Sequence, residues 1–254
     1  MLTIQDIKSM KSKQKIVMLT AYDFPTAKLM DSIVDIILVG DSYGMVVLGY
    51  ENTSKVTIQD MLRTTESVAR GSKNALIVGD MPIGTYDDKN MALENARMFI
   101  KAGAHAVKIE NKPEIARFLV QNGIEVMGHI GLTPQTITNF KVQGKSEQES
   151  FRLKNLAKEC EEAGCFSLVL ECIPMPLAKS ITESISIPTL GIGAGIYCDG
   201  QVLVTNDILG LYGDFKPKFL KRYAELSPLM RNAFQQYAKE VREGKFPTDD
   251  HSFH

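Results

Sequence analysis

The feature that most restricts the fold of this chain is a series of short, β-branched apolar runs. Each run is followed by a polar or glycine-rich turn, and runs this short and apolar are typical of strands buried on both faces. The runs occupy residues 16–20, 34–39, 76–78, 106–109, 124–127, 167–170, 187–190 and 202–204.

Helical patterns separate most of these runs. Thr57 is placed to cap a helix through Arg70, and Lys89 to Lys101 shows helical spacing before Gly103. Two further helices are predicted over residues 113–123 and 147–163.

Repeated strand–helix alternation predicts a parallel sheet, and eight units in 254 residues favour a closed barrel over an open, doubly wound sheet. The predicted fold class is therefore α/β, a (β/α)8 TIM barrel. It forms a single catalytic domain over residues 1–254, with extra C-terminal helices from Pro217 onward. We expect those helices to cap the barrel or to serve a subunit interface.

Composition excludes several classes of protein. A charged fraction of 23% argues against disorder, and a net charge of -1 gives no basic surface for nucleic acid or an anionic membrane. The start of the chain lacks a signal-peptide core, and no apolar run is long enough to span a bilayer. We therefore expect a cytoplasmic protein. The four cysteines form no C-x-x-C pair, so we expect them to be reduced and structural.

Side chains that carry chemistry follow the predicted strands. In a barrel the carboxyl ends of the strands converge on one mouth, where active sites are built. Alone, an Asp after a strand is usually a turn residue or cap, and a lone histidine is usually structural. Several crowded carboxylates repel each other, however, and a divalent cation relieves that repulsion. Oxygen-only ligands favour Mg²⁺ or a close relative over zinc. The residues at the strand ends are Asp41, Asp80, Lys108, Glu110, His129 and Glu171.

Two nucleotide-binding motifs are incomplete. Gly144-Lys145-Ser146 resembles the end of a P-loop, but Asn139 stands where the first glycine is required. The segment from Gly191 to Ile196 lacks the last glycine of the dinucleotide fingerprint. Its glycines either shape a ligand pocket or simply turn the chain.

Longer motifs carry a resemblance over nearly the whole chain. They are Thr20-Ala21-Tyr22-Asp23, Val39-Gly40-Asp41-Ser42, Val107-Lys108-Ile109-Glu110, Gly128-His129-Ile130-Gly131-Leu132-Thr133-Pro134-Gln135, Lys141-Val142-Gln143-Gly144, Leu170-Glu171-Cys172-Ile173-Pro174, Gly191-Ile192-Gly193-Ala194-Gly195 and the ending His251-Ser252-Phe253-His254. On these residues the chain resembles the ketopantoate hydroxymethyltransferase family, whose members are (β/α)8 barrels.

The resemblance implies an activity. The family transfers a hydroxymethyl group from 5,10-methylenetetrahydrofolate to 3-methyl-2-oxobutanoate, through an enolate that Mg²⁺ stabilises. The product is 2-dehydropantoate, on the route to pantothenate and coenzyme A. The resemblance also implies a homo-oligomer, since family members form decamers built from dimers and pentamers. It implies no nucleic-acid or membrane partner.

The resemblance also implies residue roles. Asp41 and Asp80 match direct Mg²⁺ ligands, and Glu110 matches the third acidic position at the metal. Glu171 matches the proton acceptor. The substrate contacts match Asp41, Ser42, Asp80, Lys108 and the pocket histidine His129. The motifs do not name the folate-pocket residues, nor do they choose among Mg²⁺, Mn²⁺ and Co²⁺.

The chain departs from the family at one place. The segment Thr138-Asn139-Phe140 before Lys141 is shorter than is usual in the family, which affects folate contacts or lid closure rather than the carboxylates.

Three alternative functions remain open on the residues alone. The first alternative is an aldolase that uses Lys108 as a Schiff-base nucleophile. The second is a metal-dependent carbon–carbon lyase with a cysteine acid. The third is a barrel that only binds a ligand or serves as a scaffold.

Overall fold

The computed structural model describes residues 1–136, 141–213 and 216–254. Its strands are β1 (Ile16–Thr20), β2 (Ile36–Val39), β3 (Leu76–Asp80), β4 (Ala106–Glu110), β5 (Val126–Gly131), β6 (Ser167–Glu171), β7 (Thr189–Ile192) and β8 (Gly200–Leu203). Its α-helices are α1 (Ile4–Ser9), α2 (Phe24–Met30), α3 (Tyr43–Val46), α4 (Ile58–Gly71), α5 (Lys89–Lys101), α6 (Pro113–Gln121), α7 (Glu147–Glu162), α8 (Met175–Ser184), α9 (Thr205–Ile208) and α10 (Leu226–Arg242).

The strands form a closed parallel barrel in chain order, and β8 pairs with β1 to complete it. The predicted (β/α)8 barrel with extra C-terminal helices is therefore confirmed. Contacts divide the chain into two compact units, Met1–Val204 and Thr205–His254. The first unit contains the whole barrel, and the second contains α9 and α10.

Most predicted elements lie where the sequence placed them. Thr57 caps α4 through a capping box with Asp60, and α5 has the predicted bounds, Lys89–Lys101. The largest difference is at β5, which continues through Gly128 to Gly131 instead of ending at residue 127. A glycine after an apolar run predicts a turn, but at Gly128 the strand continues because it pairs with β4 and β6 on either side.

Alternate residues of the strands build two apolar layers. One set fills the barrel interior, with Met18, Leu38, Val78 and Met127 in a single buried cluster. The other set faces the surrounding helices in a larger cluster. Side chains on a strand alternate with period two, so the inner set stays on one face along its whole length. Residues that occupy the same inward-facing positions beyond this apolar cluster must therefore point into the barrel mouth.

The first helix closes the amino end of the barrel. Thr3 and Asp6 form a capping box that fixes the start of α1. Ile7 of that helix is fully buried and packs with the barrel-interior cluster. The inward-facing rows of the strands are consequently apolar at this end.

The second unit is built around α10, none of whose residues is buried. Within this unit the Arg222 guanidinium donates to the backbone oxygens of Tyr212 and Gly213. In the parts of the chain that the structure describes, no helix has the length and apolarity needed to cross a membrane. The four cysteines are free in the structure.

Asp199 joins three segments at the amino end of the barrel. Its carboxylate accepts hydrogen bonds from Lys11 Nζ at 2.9 Å, from the backbone N–H of Ser12 at 3.1 Å and from that of Thr189 at 2.9 Å. Burial acts to raise the pKa of Asp199, but these donors outweigh it and hold the pKa below its usual value. The Asp199 carboxylate therefore fastens the segment before β1 and the first residue of β7 to the start of β8.

We expect Asp199→Asn to lower the free energy of unfolding by about 3 kcal/mol at neutral pH, because it removes one partner of a buried ion pair. A lowered folded pKa gives stability that is present above the unfolded value of about 3.9 and is lost as the pH falls. The gap between wild type and variant should therefore shrink below about pH 4. Urea unfolding followed by circular dichroism, at neutral pH and below about pH 4, measures the free energy of unfolding of both proteins.

Asp87→Asn is the matched control, since Asp87 pairs with Lys112 at 2.7 Å but is 65% exposed. That variant should change stability by less than about 1 kcal/mol. A gap for Asp199→Asn that stayed constant down to acidic pH would contradict the proposed role of its charge.

Candidate active site

Charged residues continue the inward-facing rows of neighbouring strands. Asp80 follows Leu76 and Val78 on β3, and Lys108 and Glu110 follow Ala106 on β4 with the same spacing of two. His129 follows Met127 on β5, and Glu171 follows Val169 on β6. The rows are apolar at the amino end and ionisable at the carboxyl end, so the barrel itself gathers these side chains at one mouth.

Strand register decides which of them are neighbours. Asp80 is the partner of Lys108, and Glu110 is the partner of His129. Glu171 is paired with Gly131, two residues beyond His129. Residues paired across parallel strands project to the same side, so the register brings four charged residues into contact around a quarter of the barrel.

Lys108 is the buried cation at the centre of the group. Its Nζ lies 2.7 Å from Asp80 Oδ1 and 3.8 Å from Glu110 Oε1, and its side chain is only 5% exposed. Burial acts to lower the pKa of Lys108, but the charges of Asp80, Glu110 and Asp41 outweigh burial and raise it. Lys108 is therefore held as an ammonium, a poor nucleophile.

Asp41 and Asp80 form the acidic side of the site. Both are buried, and the backbone N–H of Asp41 donates to Asp80 Oδ2 at 3.3 Å. Burial raises the pKa of Asp41, and repulsion from Asp80 and Glu110 raises it further. Burial also raises the pKa of Asp80, against the opposing charge of Lys108. The site consequently holds more negative charge than Lys108 neutralises.

His129 joins Glu110 to Glu171. Its Nδ1 lies 3.1 Å from Glu110 Oε1, and its Nε2 lies 3.1 Å from Glu171 Oε2. The contact with Glu171 is close but poorly aligned for a hydrogen bond, so it is an ion pair when His129 is protonated.

The protonation of His129 follows from its neighbours. Burial and the Lys108 charge act to lower the pKa of His129, but Glu110 and Glu171 outweigh them and raise it to about 9. Lys108 Nζ also lies 3.4 Å from Nδ1, yet the shorter contact and the raised pKa favour an Nδ1–H that points at Glu110. Burial acts to raise the pKa of Glu110, but the His129 charge and hydrogen bond outweigh it and lower it.

Ser42 lies beside the acidic pair, directly after Asp41 and at the start of α3. Its hydroxyl is 2.8 Å from Tyr22 Oη, which comes from the segment after β1. Ser42 is half-buried, and the Glu171 side chain is 16% exposed. These two side chains are therefore reachable from the mouth, whereas Lys108 lies below them.

Sequence reasoning missed two residues that contact the acidic group, Gln135 and Tyr86. Gln135 Nε2 donates to Asp41 Oδ2 at 2.9 Å, and the Tyr86 hydroxyl donates to Gln135 Oε1. Both side chains are buried, and both lie in segments that follow strands rather than in strands. No period or spacing distinguishes them. The only available signal was that Gln135 ends the long motif that begins at Gly128.

The donor chemistry of the site suits a hard divalent cation. Asp41, Asp80 and Glu110 offer buried carboxylate oxygens, the ligand type that Mg²⁺ prefers. Asp80 Oδ1 faces Lys108 but receives no hydrogen bond of normal geometry, so it keeps a lone pair for another cation. Among the residues described, no three His, Cys, Asp or Glu side chains already surround one point. Glu110 is turned instead toward His129 and the backbone N–H of Gln135.

The glycine-rich segment that begins at Gly191 and the short segment before Lys141 were the other two features singled out in the sequence. Gly193 and Gly195 have φ of 65° and 83°, and a Cβ at Gly195 would lie 2.5 Å from Met175. At these positions the glycines turn the chain and allow a close approach to α8. The shortened segment at Thr138-Asn139-Phe140 lies outside the described residues.

Solved structures share the fold at low sequence identity. A 2,3-dimethylmalate lyase, a PEP mutase/isocitrate lyase superfamily member, aligns with a TM-score of 0.64 at 16% identity, covering 98% of this chain and 92% of that one. This likeness concerns the barrel alone.

Sequence relatives are much closer. The 3-methyl-2-oxobutanoate hydroxymethyltransferase of Syntrophus aciditrophicus (strain SB) is 53% identical over 262 residues, covering 99% of this chain and 96% of the relative. The protein of that name from Clostridium botulinum (strain Langeland / NCTC 10281 / Type F) is 54% identical over 261 residues, covering 99% and 95%.

A family model described as ketopantoate hydroxymethyltransferase matches residues 1–249. The match covers every strand of the barrel and every charged residue at its mouth. It confirms the resemblance carried by the motifs, and it identifies the chain as a hydroxymethyltransferase and hence as an enzyme. The chain belongs to the ketopantoate hydroxymethyltransferase family.

Proposed function

We propose that this chain transfers a hydroxymethyl group from 5,10-methylenetetrahydrofolate to 3-methyl-2-oxobutanoate, giving 2-dehydropantoate for pantothenate and coenzyme A synthesis. The difficult step is removal of a proton from the carbon beside the ketone, which leaves an enolate. That carbon then bonds to the methylene carbon of the folate, whose bonds to the folate nitrogens are broken, so that water supplies the hydroxyl of the product and tetrahydrofolate leaves. The site must therefore bind a 2-oxo acid, stabilise negative charge and accept a proton.

One observation carries this proposal, a continuous series of ion-pair contacts across the mouth. Asp80 contacts Lys108 at 2.7 Å, Lys108 contacts Glu110 at 3.8 Å, Glu110 contacts His129 at 3.1 Å and His129 contacts Glu171 at 3.1 Å. The series begins at the acidic pair and ends at a reachable carboxylate. Charge stabilisation and proton acceptance are thus available at the two ends of one series of contacts.

At the acidic end, Asp41 and Asp80 are the proposed direct ligands of Mg²⁺, with Glu110 as the third acidic group. When bound, Mg²⁺ supplies a Lewis acid worth several kcal/mol of charge stabilisation at the oxygens of the 2-oxo acid. The raised pKa values of Asp41 and Asp80 support this assignment, because their repulsion is what a cation relieves. The choice among Mg²⁺, Mn²⁺ and Co²⁺ is left to experiment.

Lys108 and Ser42 are the proposed contacts of the 2-oxo acid, together with the two aspartates and His129. Lys108 adds a fixed positive charge where negative charge develops, and a preorganised buried charge acts more strongly than one in water. Ser42 offers a hydroxyl beside Asp41 that Tyr22 already orients at 2.8 Å.

Glu171 is the proposed proton acceptor. It ends β6 and is the most exposed carboxylate in the ion-pair series, so its oxygens are open to a substrate carbon. His129 holds one carboxylate oxygen at 3.1 Å and limits its rotation. A positioned general base typically contributes about 10²–10⁴-fold to the rate.

The assembly and location of the enzyme are also part of the proposal. A homo-oligomer, a decamer by family resemblance, is supported by the apolar side chains that α10 exposes. They include Phe234 at 65%, Leu229 at 62% and Tyr237 at 60%. Four free cysteines are in line with a cytoplasmic setting.

The Schiff-base alternative requires an uncharged Lys108, and the surrounding carboxylates oppose that state. We expect borohydride added with 3-methyl-2-oxobutanoate to trap no adduct, as measured by intact-protein mass spectrometry. A mass increase that disappeared in Lys108→Met would show instead that the lysine is the nucleophile. EDTA should abolish turnover in parallel samples.

Asp41→Asn should reduce metal-supported turnover by at least about 100-fold, because it removes a proposed ligand of a metal whose Lewis acidity contributes several kcal/mol. The fold should survive, since the substitution keeps the shape of the side chain and relieves repulsion with Asp80. Turnover is measured against Mg²⁺ concentration, and the fold by circular dichroism. Asp250→Asn, at an exposed position, is the control. Wild-type turnover in Asp41→Asn would exclude it as a ligand.

Glu171→Gln should bind 3-methyl-2-oxobutanoate but slow the exchange of its C3 proton with D₂O by about 10²–10⁴-fold. Proton NMR with and without Mg²⁺ measures exchange in the absence of folate, which separates enolisation from one-carbon transfer. Glu162→Gln, at the exposed end of α7, is the matched control. Exchange at the normal rate in Glu171→Gln would mean that another group is the base.

A further inference from the structure

We propose that Gln135 is a positioning residue whose side-chain amide fixes Asp41 for metal binding, and that Tyr86 sets the orientation of that amide. This inference rests on the proposed metal site and adds residues to it. Gln135 and Tyr86 come from the segments after β5 and β3, so the outer support of the site lies outside the strands.

The Gln135 side chain makes three of the four hydrogen bonds that an amide can form, including both of its donations. Nε2 donates to Asp41 Oδ2 at 2.9 Å and to the backbone oxygen of Met81 at 3.0 Å. Oε1 accepts from the Tyr86 hydroxyl. The side chain is 5% exposed, so water does not compete for these partners. Ordering a buried amide this completely indicates a specific geometric role.

Chemistry fixes which way the amide points. Met81 O is a carbonyl that can only accept, and Asp41 is a carboxylate, so the nitrogen must face both. Reversing the amide would place Oε1 against two acceptors. Tyr86 is buried, and its hydroxyl accepts from the backbone N–H of Glu110, so its own proton is left to donate to Gln135 Oε1. The hydrogen-bond sequence from Tyr86 through Gln135 to Asp41 therefore has one direction.

The same residue also reaches a second carboxylate. The backbone N–H of Gln135 donates to Glu110 Oε2 at 3.3 Å, while the other Glu110 oxygen faces His129. In turn, the Tyr86 hydroxyl accepts from the backbone N–H of Glu110 at 3.4 Å. Gln135 thus links the end of β4 to Asp41 in the segment after β2, and these two strands are not paired with each other in the barrel.

Loss of a hydrogen bond that holds a metal ligand in place lowers the affinity for the metal. Groups that hold metal ligands in place typically cost 10–100-fold in metal affinity when they are lost, even though they do not touch the ion. Gln135→Met keeps the length of the side chain and its burial but removes the amide. Asp41 Oδ2 and Met81 O then lose a donor, and the Asp41 carboxylate is free to rotate.

The test measures Mn²⁺ binding to the full-length protein without substrates, by the electron paramagnetic resonance signal of the free ion. We expect Gln135→Met to weaken Mn²⁺ binding about 10–100-fold. Tyr86→Phe should weaken it less, about 3–10-fold, because the amide remains but loses its orienting donor. Gln121→Met, at the exposed end of α6, should bind like wild type.

Mn²⁺ binding to Asp41→Asn, measured in the same way, distinguishes the proposed metal site from the proposed positioning role of Gln135. If Asp41→Asn loses Mn²⁺ binding while Gln135→Met and Tyr86→Phe bind like wild type, the metal site stands and the positioning role is wrong. If Asp41→Asn binds like wild type, the metal assignment itself is wrong and the positioning role falls with it. Should Gln135→Met fail to fold, as judged by circular dichroism, Tyr86→Phe decides by the same criterion.

Discussion

The buried ion pair between Lys108 and Asp80 is the interaction on which the rest of the site depends. Three buried carboxylates, Asp41, Asp80 and Glu110, converge on one mouth, and an apolar interior cannot hold that charge without compensation. Lys108 and His129 supply two positive groups, each in contact with carboxylates. The pKa of Asp41 remains raised in spite of them, which marks the position where further positive charge is most stabilising.

This charge balance follows from the regularity of the barrel. A spacing of two along β3, β4, β5 and β6 keeps the inner rows in line, and the parallel register places Asp80 beside Lys108 and Glu110 beside His129. The strands thus decide which residues meet, and the segments after the strands adjust their orientation. Gln135 is the main example, because it contacts one carboxylate with its amide and another with its backbone.

Much of this was predictable because repetition is visible in a sequence. The fold and the gathering of Asp80, Lys108, Glu110, His129 and Glu171 follow from period-two rows that end at carboxyl termini. The carboxyl end of β5 was placed too early, since a glycine breaks the local pattern although the ladder continues. Gln135 and Tyr86 were missed because their roles depend on tertiary contacts at 49 residues of separation, which leave no period.

The position of Asp199 has a consequence for how the protein tolerates change. Its carboxylate fastens the amino end of the barrel, whereas the ionisable rows lie at the carboxyl end, about 16 Å away along a five-residue strand. The effects that substitutions at sites this far apart have on the free energy of unfolding are close to additive. Stability and chemistry are thus largely separate traits in this barrel. A lineage that reshapes the mouth for a new substrate can offset the stability it loses by strengthening the opposite end, without touching any group that meets the substrate.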